Sequence, residues 1–383
     1  MRSPESFIVE EKLFNPYMKQ LYQTLCEQRG INKAYNPTRK LLLNQFDKEN
    51  YVVHFAILKF YLKMGMKLKK IHQGIRFTQK PWLKSYIEMN SEKRALAKND
   101  FEKDYYKLKN NALYGKTMEN MRKRIDYKLV NDEQEFERLA SHPLYIQHDV
   151  FSKDLVGVHM FKSSVLLDRP QFVGQAVLDY SKLTMYEFFY HTIRTCPVIQ
   201  KARVCGGDTD SFFLALETEP NIKLNDIYQA LSDVFDSSNY PKDHELYSTK
   251  NKARLGCFKD ETAGHHIEEF ILLRPKMYSM KVNKHCGVRR AKGIRKNVVH
   301  AFSHNDYRDI YTQTKENQVQ MTLLKSENHQ VSTTNIRKRG LSIWDDKRCW
   351  KSKNFSVPYG HYSLNQERPT KRSRVLPTSG DVQ

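Results

Sequence analysis

Gly206-Gly207-Asp208-Thr209-Asp210-Ser211 lies between two β-prone runs, residues 197–204 and 211–216. Glycines ease a tight reversal, and strands on both sides of so short a spacer predict a hairpin with an acidic tip. Aspartates two apart at a strand junction can bring two carboxylates near one point. Nucleotidyl and phosphoryl transfer use such a support, because negative charge gathers on the attacking oxygen, the phosphorus centre and the leaving group, and a pair of divalent ions stabilises both ends. Asp-x-Asp is equally an ordinary turn sequence, so its neighbours in the chain have to decide.

Upstream, residues 82–124 are rich in helix formers and break at Asn99-Asp100, where Asn99 and Glu102 have the spacing of a capping box. A helical hairpin is predicted. Its second arm, Lys107-Leu108-Lys109-Asn110-Asn111-Ala112-Leu113-Tyr114-Gly115, puts Lys107, Asn111 and Tyr114 on one face, with Lys103 a turn earlier. An ammonium suits phosphates, a flat ring suits a sugar or base, and Gly115 admits a close backbone. A solvated basic helix with one buried tyrosine fits the same spacing.

Other elements are read more coarsely. Residues 16–28 and 173–191 are expected as helices, residues 51–56 as a β-rich run, and Ser303 with Asp306 as a capping box opening a late helix, followed by β-prone segments up to Trp344. The region before residue 82 carries no recognisable chemistry.

A haloacid-dehalogenase-type phosphatase also carries Asp-x-Asp after a strand, but continues with Gly-Thr, whereas Ser211-Phe212-Phe213 follows here. Taken together, the segments resemble family B DNA polymerases, whose motif B is Lys-x-x-x-Asn-Ser-x-Tyr-Gly and whose motif C is Tyr-x-Asp-Thr-Asp-Ser, in that order. Arg274-Pro275-Lys276-Met277-Tyr278-Ser279 is similar to that family's Lys-x-Tyr motif. Four further stretches resemble the protein-primed Polinton (Maverick) branch: Tyr51-Val52-Val53-His54, Lys98-Asn99-Asp100-Phe101-Glu102-Lys103-Asp104, Phe258-Lys259-Asp260-Glu261-Thr262-Ala263-Gly264 and Pro358-Tyr359-Gly360-His361.

The resemblance implies an α+β right hand with an antiparallel palm sheet. Residues 1–81 would be a priming-related insertion, 82–124 helical fingers, 125–295 the palm, 296–364 a small thumb and 365–383 a disordered tail. It implies that Lys107, with Arg94 or Lys103, holds the incoming deoxynucleoside triphosphate while Asn111 and Tyr114 shape the nascent base pair. Asp210 and Asp208 would be catalytic and ligate Mg²⁺ in a two-metal site, and Gly115, Lys276 and Tyr278 would contact primer-template DNA. A protein primer is a further implied partner.

The chain departs from the family in three ways. Gly206 stands where motif C has Tyr, Ala112 stands where motif B has Ser, and the Asp-x-x-Ser-Leu-Tyr-Pro of motif A is not found in these 383 residues. The nearest look-alike, Asp179-Tyr180-Ser181-Lys182-Leu183, follows motif B, and Asp179 reads as an ordinary helix-surface residue. Two functions from different classes therefore stand: template-directed DNA synthesis by a copy lacking motif A, and a catalytically inactive DNA-binding remnant of a mobile element.

Composition agrees with both. Sixty-four Lys and Arg against 43 Asp and Glu give +21, which fits a polyanionic partner such as nucleic acid. The six cysteines show no Cys-x-x-Cys spacing, so neither a zinc ribbon nor a disulfide framework is expected. No apolar run has the length of a membrane span and Met1-Arg2-Ser3-Pro4 opens no signal peptide, so an intracellular protein with no membrane partner is expected. Lys371-Arg372-Ser373-Arg374 fits nuclear import and fits an ordinary solvated tail at least as well.

Overall fold

Short-range chemistry starts the helices. Asn15 accepts a hydrogen bond from Met18 N at 2.9 Å, with Pro16 at the first helical position, where a missing N–H costs nothing. Asn99 accepts from Glu102 N at 2.9 Å, while the Glu102 carboxylate accepts from Lys98 N rather than from Asn99 N. Ser303 and Asp306 form the expected reciprocal box.

The computed structural model describes residues 3–31, 34–283, 285–327 and 330–364; the expected tail lies outside them. The chain begins with β1 (Ser3–Val9), α1 (Pro16–Gln28), β2 (Thr38–Asn44) and α2 (Phe55–Lys63). The expected helical hairpin follows as α3 (Lys84–Leu96) and α4 (Asp100–Thr117). Next come β3 (Asp126–Val130), α5 (Glu133–Ala140), β4 (Tyr145–Ser152), β5 (Leu155–Met160) and α6 (Gln171–Glu187), which continues as a π-helical turn, Phe188–Ile193. Then come β6 (Lys201–Asp208), β7 (Ser211–Glu217), α7 (Leu224–Ala230), β8 (Phe235–Asp236), β9 (Phe258–Lys259), β10 (Ile267–Arg274), β11 (Met277–Val282) and β12 (His285–Ala291). The last elements are α8 (Lys296–Ala301), α9 (His304–Gln313), β13 (Gln318–Glu327), β14 (Gln330–Arg339), β15 (Cys349–Ser352) and β16 (Phe355–Val357).

Helices and small open sheets alternate in an α+β arrangement. All strand pairs are antiparallel except β8 with β9. β10, β11 and β12 form a meander, and β5 is central between β3 and β4. The largest core joins the two ends of the chain: Val9, Met18 and Leu25 pack with Leu273, Met277, Tyr307, Leu341 and Tyr359. Asn15 Nδ2 donates to Trp350 O at 2.8 Å across that junction. A second core, around Phe188, Ile193 and Ile199, backs the β6–β7 hairpin.

Two expectations need correction. Residues 51–54 form no strand, and Phe55 opens α2: the apolar run continues with Ile57, Phe60 and Tyr61 buried at helical spacing against Leu183 and Tyr186 of α6. Short apolar runs leave helix and strand undecided, and here the longer periodicity wins. Asp179 is not on the helix surface: it is only 1% exposed, accepts a hydrogen bond from His54 N at 2.6 Å and lies 2.6 Å from Lys182 Nζ. A buried carboxylate with an amide and a cation around it is a fastener, here tying the start of α2 to α6. The i, i+3 spacing of Asp179 and Lys182 was the one signal of it in the sequence.

Among the described residues no helix is long and apolar enough to cross a membrane. Cys26, Cys196, Cys205, Cys257 and Cys349 are free.

Candidate functional site

The acidic turn is the tip of the β6–β7 hairpin, in which Asp208 pairs with Ser211 across the loop residues Thr209 and Asp210. Thr209 has φ +28°, the positive sign that tight hairpin loops demand. Gly207 is dictated by sterics: a Cβ there would lie 2.3 Å from Ser211 O, a backbone atom that cannot step aside. At Gly206 a Cβ would meet the Leu272 side chain at 2.7 Å, so the hairpin lies close on β10. Phe213 completes that contact, with its ring centroid 4.4 Å from Phe270 and 4.9 Å from Tyr278. Such ring pairs contribute about 0.5–1.5 kcal/mol each beyond their buried area.

The facing tip is Pro275-Lys276, the two residues between β10 and β11. Lys276 has φ +63° after a proline, the arrangement of a type II turn, whose second central position normally takes glycine. A lysine there costs roughly 1–2 kcal/mol in backbone strain. Residues held in such conformations gather at functional sites. Lys276 Nζ reaches Asp208 Oδ2 at 2.9 Å, joining the tips. Both side chains are 45% exposed, so the pair contributes about 0–1 kcal/mol and can exchange for another partner. Beside it, Lys292 N donates to Lys276 O at 3.0 Å, and Arg290 stands opposite Tyr278 on β12. Burial pushes the Tyr278 hydroxyl above the usual tyrosine range; Arg290 opposes this, while Glu261 and Asp208 add to it.

The structure thus brings Asp208, Asp210, Lys276 and Tyr278 to one place. Asp210 is exposed, and its carboxylate has no hydrogen bond or ion pair among the described residues. Two aspartates offer oxygen donors of the kind Mg²⁺ takes, and Mg²⁺ is usually held by only one or two carboxylates together with waters and substrate phosphates. The donor set fits that role. Among the described residues no three His, Cys, Asp or Glu side chains gather as a metal site by themselves.

The remaining expected residues lie on the helical hairpin. Lys107, Asn111 and Gly115 are exposed on α4 and Tyr114 is half-buried. A Cβ on Gly115 would meet nothing within 4 Å, so no packing within the chain requires glycine there. Lys103 pairs with Asp100 at 3.1 Å, and Arg94 is exposed in the last turn of α3. Among the described residues no hydrogen bond or ion pair links these side chains to the acidic turn.

The two groups are connected through α6. The end of α4 lies against its first turn, where a Cβ on Gly174 would overlap Met118 and Thr117. Glu119 clamps the junction, taking Lys116, Arg124 and Arg169 at 2.8, 3.2 and 3.3 Å. The hydrogen bond from Lys116, with help from Arg169 and Arg124, holds its carboxyl down at about 2. At the far end of α6 the π turn sets Phe188 and Phe189 against Phe212 of β7. Comparison with protein-family models, curated proteins and solved structures finds no match.

Asp260 organises a neighbouring turn, accepting from Thr262 N, Thr262 Oγ1, Gly264 N and Tyr240 Oη at 2.6–2.9 Å. Its Asp-x-Thr pattern was legible as turn chemistry; its bond to Tyr240 was not.

Proposed function

We propose that this chain is the fingers, palm and thumb portion of a protein-primed family B DNA polymerase, acting in template-directed transfer of nucleotides from deoxynucleoside triphosphates to a primer 3′ end. The observation that carries the reading is the contact between Lys276 and Asp208. It joins two sequence motifs 68 residues apart, at hairpin tips where both Thr209 and Lys276 keep a strained positive φ.

In this reading Asp210 and Asp208 hold Mg²⁺, which would supply charge stabilisation for the triphosphate and the attacking 3′ oxygen. Lys276 leaves Asp208 for the backbone of the primer strand, and Tyr278 lies against its terminal nucleotide. Lys107, with Lys103 or Arg94, takes the triphosphate, Asn111 and Tyr114 flank the new pair, and Gly115 lets the strand approach α4. The β13–β14 ribbon, largely exposed and carrying Lys325, Arg337 and Lys338, suits the thumb's contact with duplex DNA. Such a protein works in the nucleus or wherever its DNA replicates.

The second reading, a DNA-binding remnant without chemistry, is favoured by the same ammonium, which sits on a carboxylate that a polymerase would give to metal. Primer extension with Mg²⁺ decides between them. Three proteins are compared: this chain, a version preceded by an Asp-x-x-Ser-Leu-Tyr-Pro segment, and that version carrying Asp210→Ala. Extension by the second alone supports the polymerase. No extension by any of them, with duplex binding retained, supports the remnant.

A further inference from the structure

Residues 50–87 contain no aspartate or glutamate but eight Lys and Arg. Within that stretch, residues 67–82 are exposed without exception. Among the described residues, 67–80 make no backbone–backbone hydrogen bond and form neither helix nor strand. Exposed main-chain groups without a chain partner are met by water, so fourteen such residues in succession leave a backbone that is open to pairing. The segment is nevertheless fastened at both ends. Met66 N donates to Tyr61 O at 3.0 Å, and Phe77 lies against His54 and Phe172.

From Lys70 to Phe77 the sequence alternates as a half-buried strand does, whereas Met66 and Leu68 fall on the side of the basic residues. Ile71, Ile75 and Phe77 fall on one side of a two-residue period, and Lys70, His72 and Arg76 on the other. Ile71 and Ile75 are 70% and 76% exposed, which places an apolar strand face in water.

We propose that residues 70–77 are a docking strand that pairs edge to edge with a strand of a partner polypeptide, one that alternates apolar and acidic residues. Main-chain pairing supplies affinity, the apolar side chains bury against their counterparts, and carboxylates face Lys70 and Arg76. Charge selects the occupant. A second copy pairing through the same segment sets Lys and Arg against one another, which is unfavourable across a ladder. Single-stranded nucleic acid is gripped by base stacking as well as by charge, and the only phenylalanine, tyrosine or tryptophan in residues 70–77 is Phe77, already engaged with His54 and Phe172. This inference is independent of the polymerase reading.

The test titrates the full chain with a fluorescent, carbonyl-¹³C peptide of roughly ten residues that alternates valine and glutamate. The comparators are polyglutamate and oligothymidylate of about the same length. Expected are saturable binding of the alternating peptide, an isotope-shifted infrared band of paired strands, and little binding of polyglutamate. Ile75→Pro should abolish binding while leaving the unfolding midpoint unchanged, because the amide it removes has no partner within the chain. Lys70→Glu with Arg76→Glu should weaken binding roughly tenfold or more. The proposal is overturned if the alternating peptide fails to bind or binds Ile75→Pro equally well. It is also overturned if oligothymidylate binds the segment more tightly and without regard to the proline.

Discussion

At Gly207 the hairpin leaves no room for a Cβ, and at Lys276 a lysine occupies a backbone region that favours glycine. The first was foreseeable from the Gly-Gly pair, since consecutive glycines before an acidic turn point to a tight reversal. The second was not, because Pro-Lys gives no hint of positive φ. Asp179 is a sharper case. Its place within a helix that follows motif B made it read as a surface residue, yet it holds His54 N and Lys182 from inside α6. Removing it leaves an amide and a cation in need of partners in a largely dry place. Asp179→Ala is expected to destabilise the protein by about 1–3 kcal/mol, and Asp179→Asn by less, in urea denaturation. An unchanged midpoint would return Asp179 to a passive role.

Helices and hairpins were the most legible level. The α3–α4 hairpin follows from its run of helix formers and from the Asn99 cap, because both act within a few residues. Less legible was what α4 leans on. Asn110 Nδ2 lies within reach of Ile87 O and Ser91 Oγ, while Glu119 and Gly174 attach the helix end to α6. That arrangement leaves Lys107 pointing at no protein partner among the described residues. Lys107→Ala is therefore expected to spare stability and to weaken deoxynucleoside triphosphate binding several-fold more than duplex binding. Parallel titrations of the two ligands check this, and equal losses in both would leave Lys107 as part of a solvated face. The run at residues 51–56 was misread as β-prone because β-branched and aromatic residues there precede a longer helical pattern.

Over the whole molecule, charge and the closing core dominate. A net charge of +21 predicts that duplex binding weakens steeply with salt, each phosphate contact adding about −0.9 to the log–log slope. A slope near zero in a salt titration would remove nucleic-acid binding. The core that joins the two chain ends carries a buried ion cluster, in which Arg29 holds Glu316 by two 2.7 Å hydrogen bonds and Arg339 approaches at 3.3 Å. Burial pushes the Glu316 carboxyl up, but Arg29, Ser342 and Arg339 together outweigh it and the net direction is down. A depressed carboxyl contributes stability that is complete above its unfolded pKa and is lost as pH falls through the folded one. The parent should therefore lose urea resistance below about pH 4.5 more steeply than Glu316→Gln does. Denaturation midpoints across that range measure the difference.

The sequence by itself determined the caps of α4 and α9, the acidic turn, the helical face of Lys107, Asn111 and Tyr114, and the excess of positive charge. All of these depend on sterics, hydrogen bonding or composition over a few neighbouring residues. Only the tertiary structure decided that Lys276 meets Asp208, that Asp179 is buried, that residues 3–46 share a core with residues 271–359, and that the alternating residues 70–77 have no strand to pair with among the described residues. Each of these depends on where segments far apart in the chain come to rest. Local preference carries no information about that, because the same turn, helix face or alternating run is equally stable whatever lies across from it.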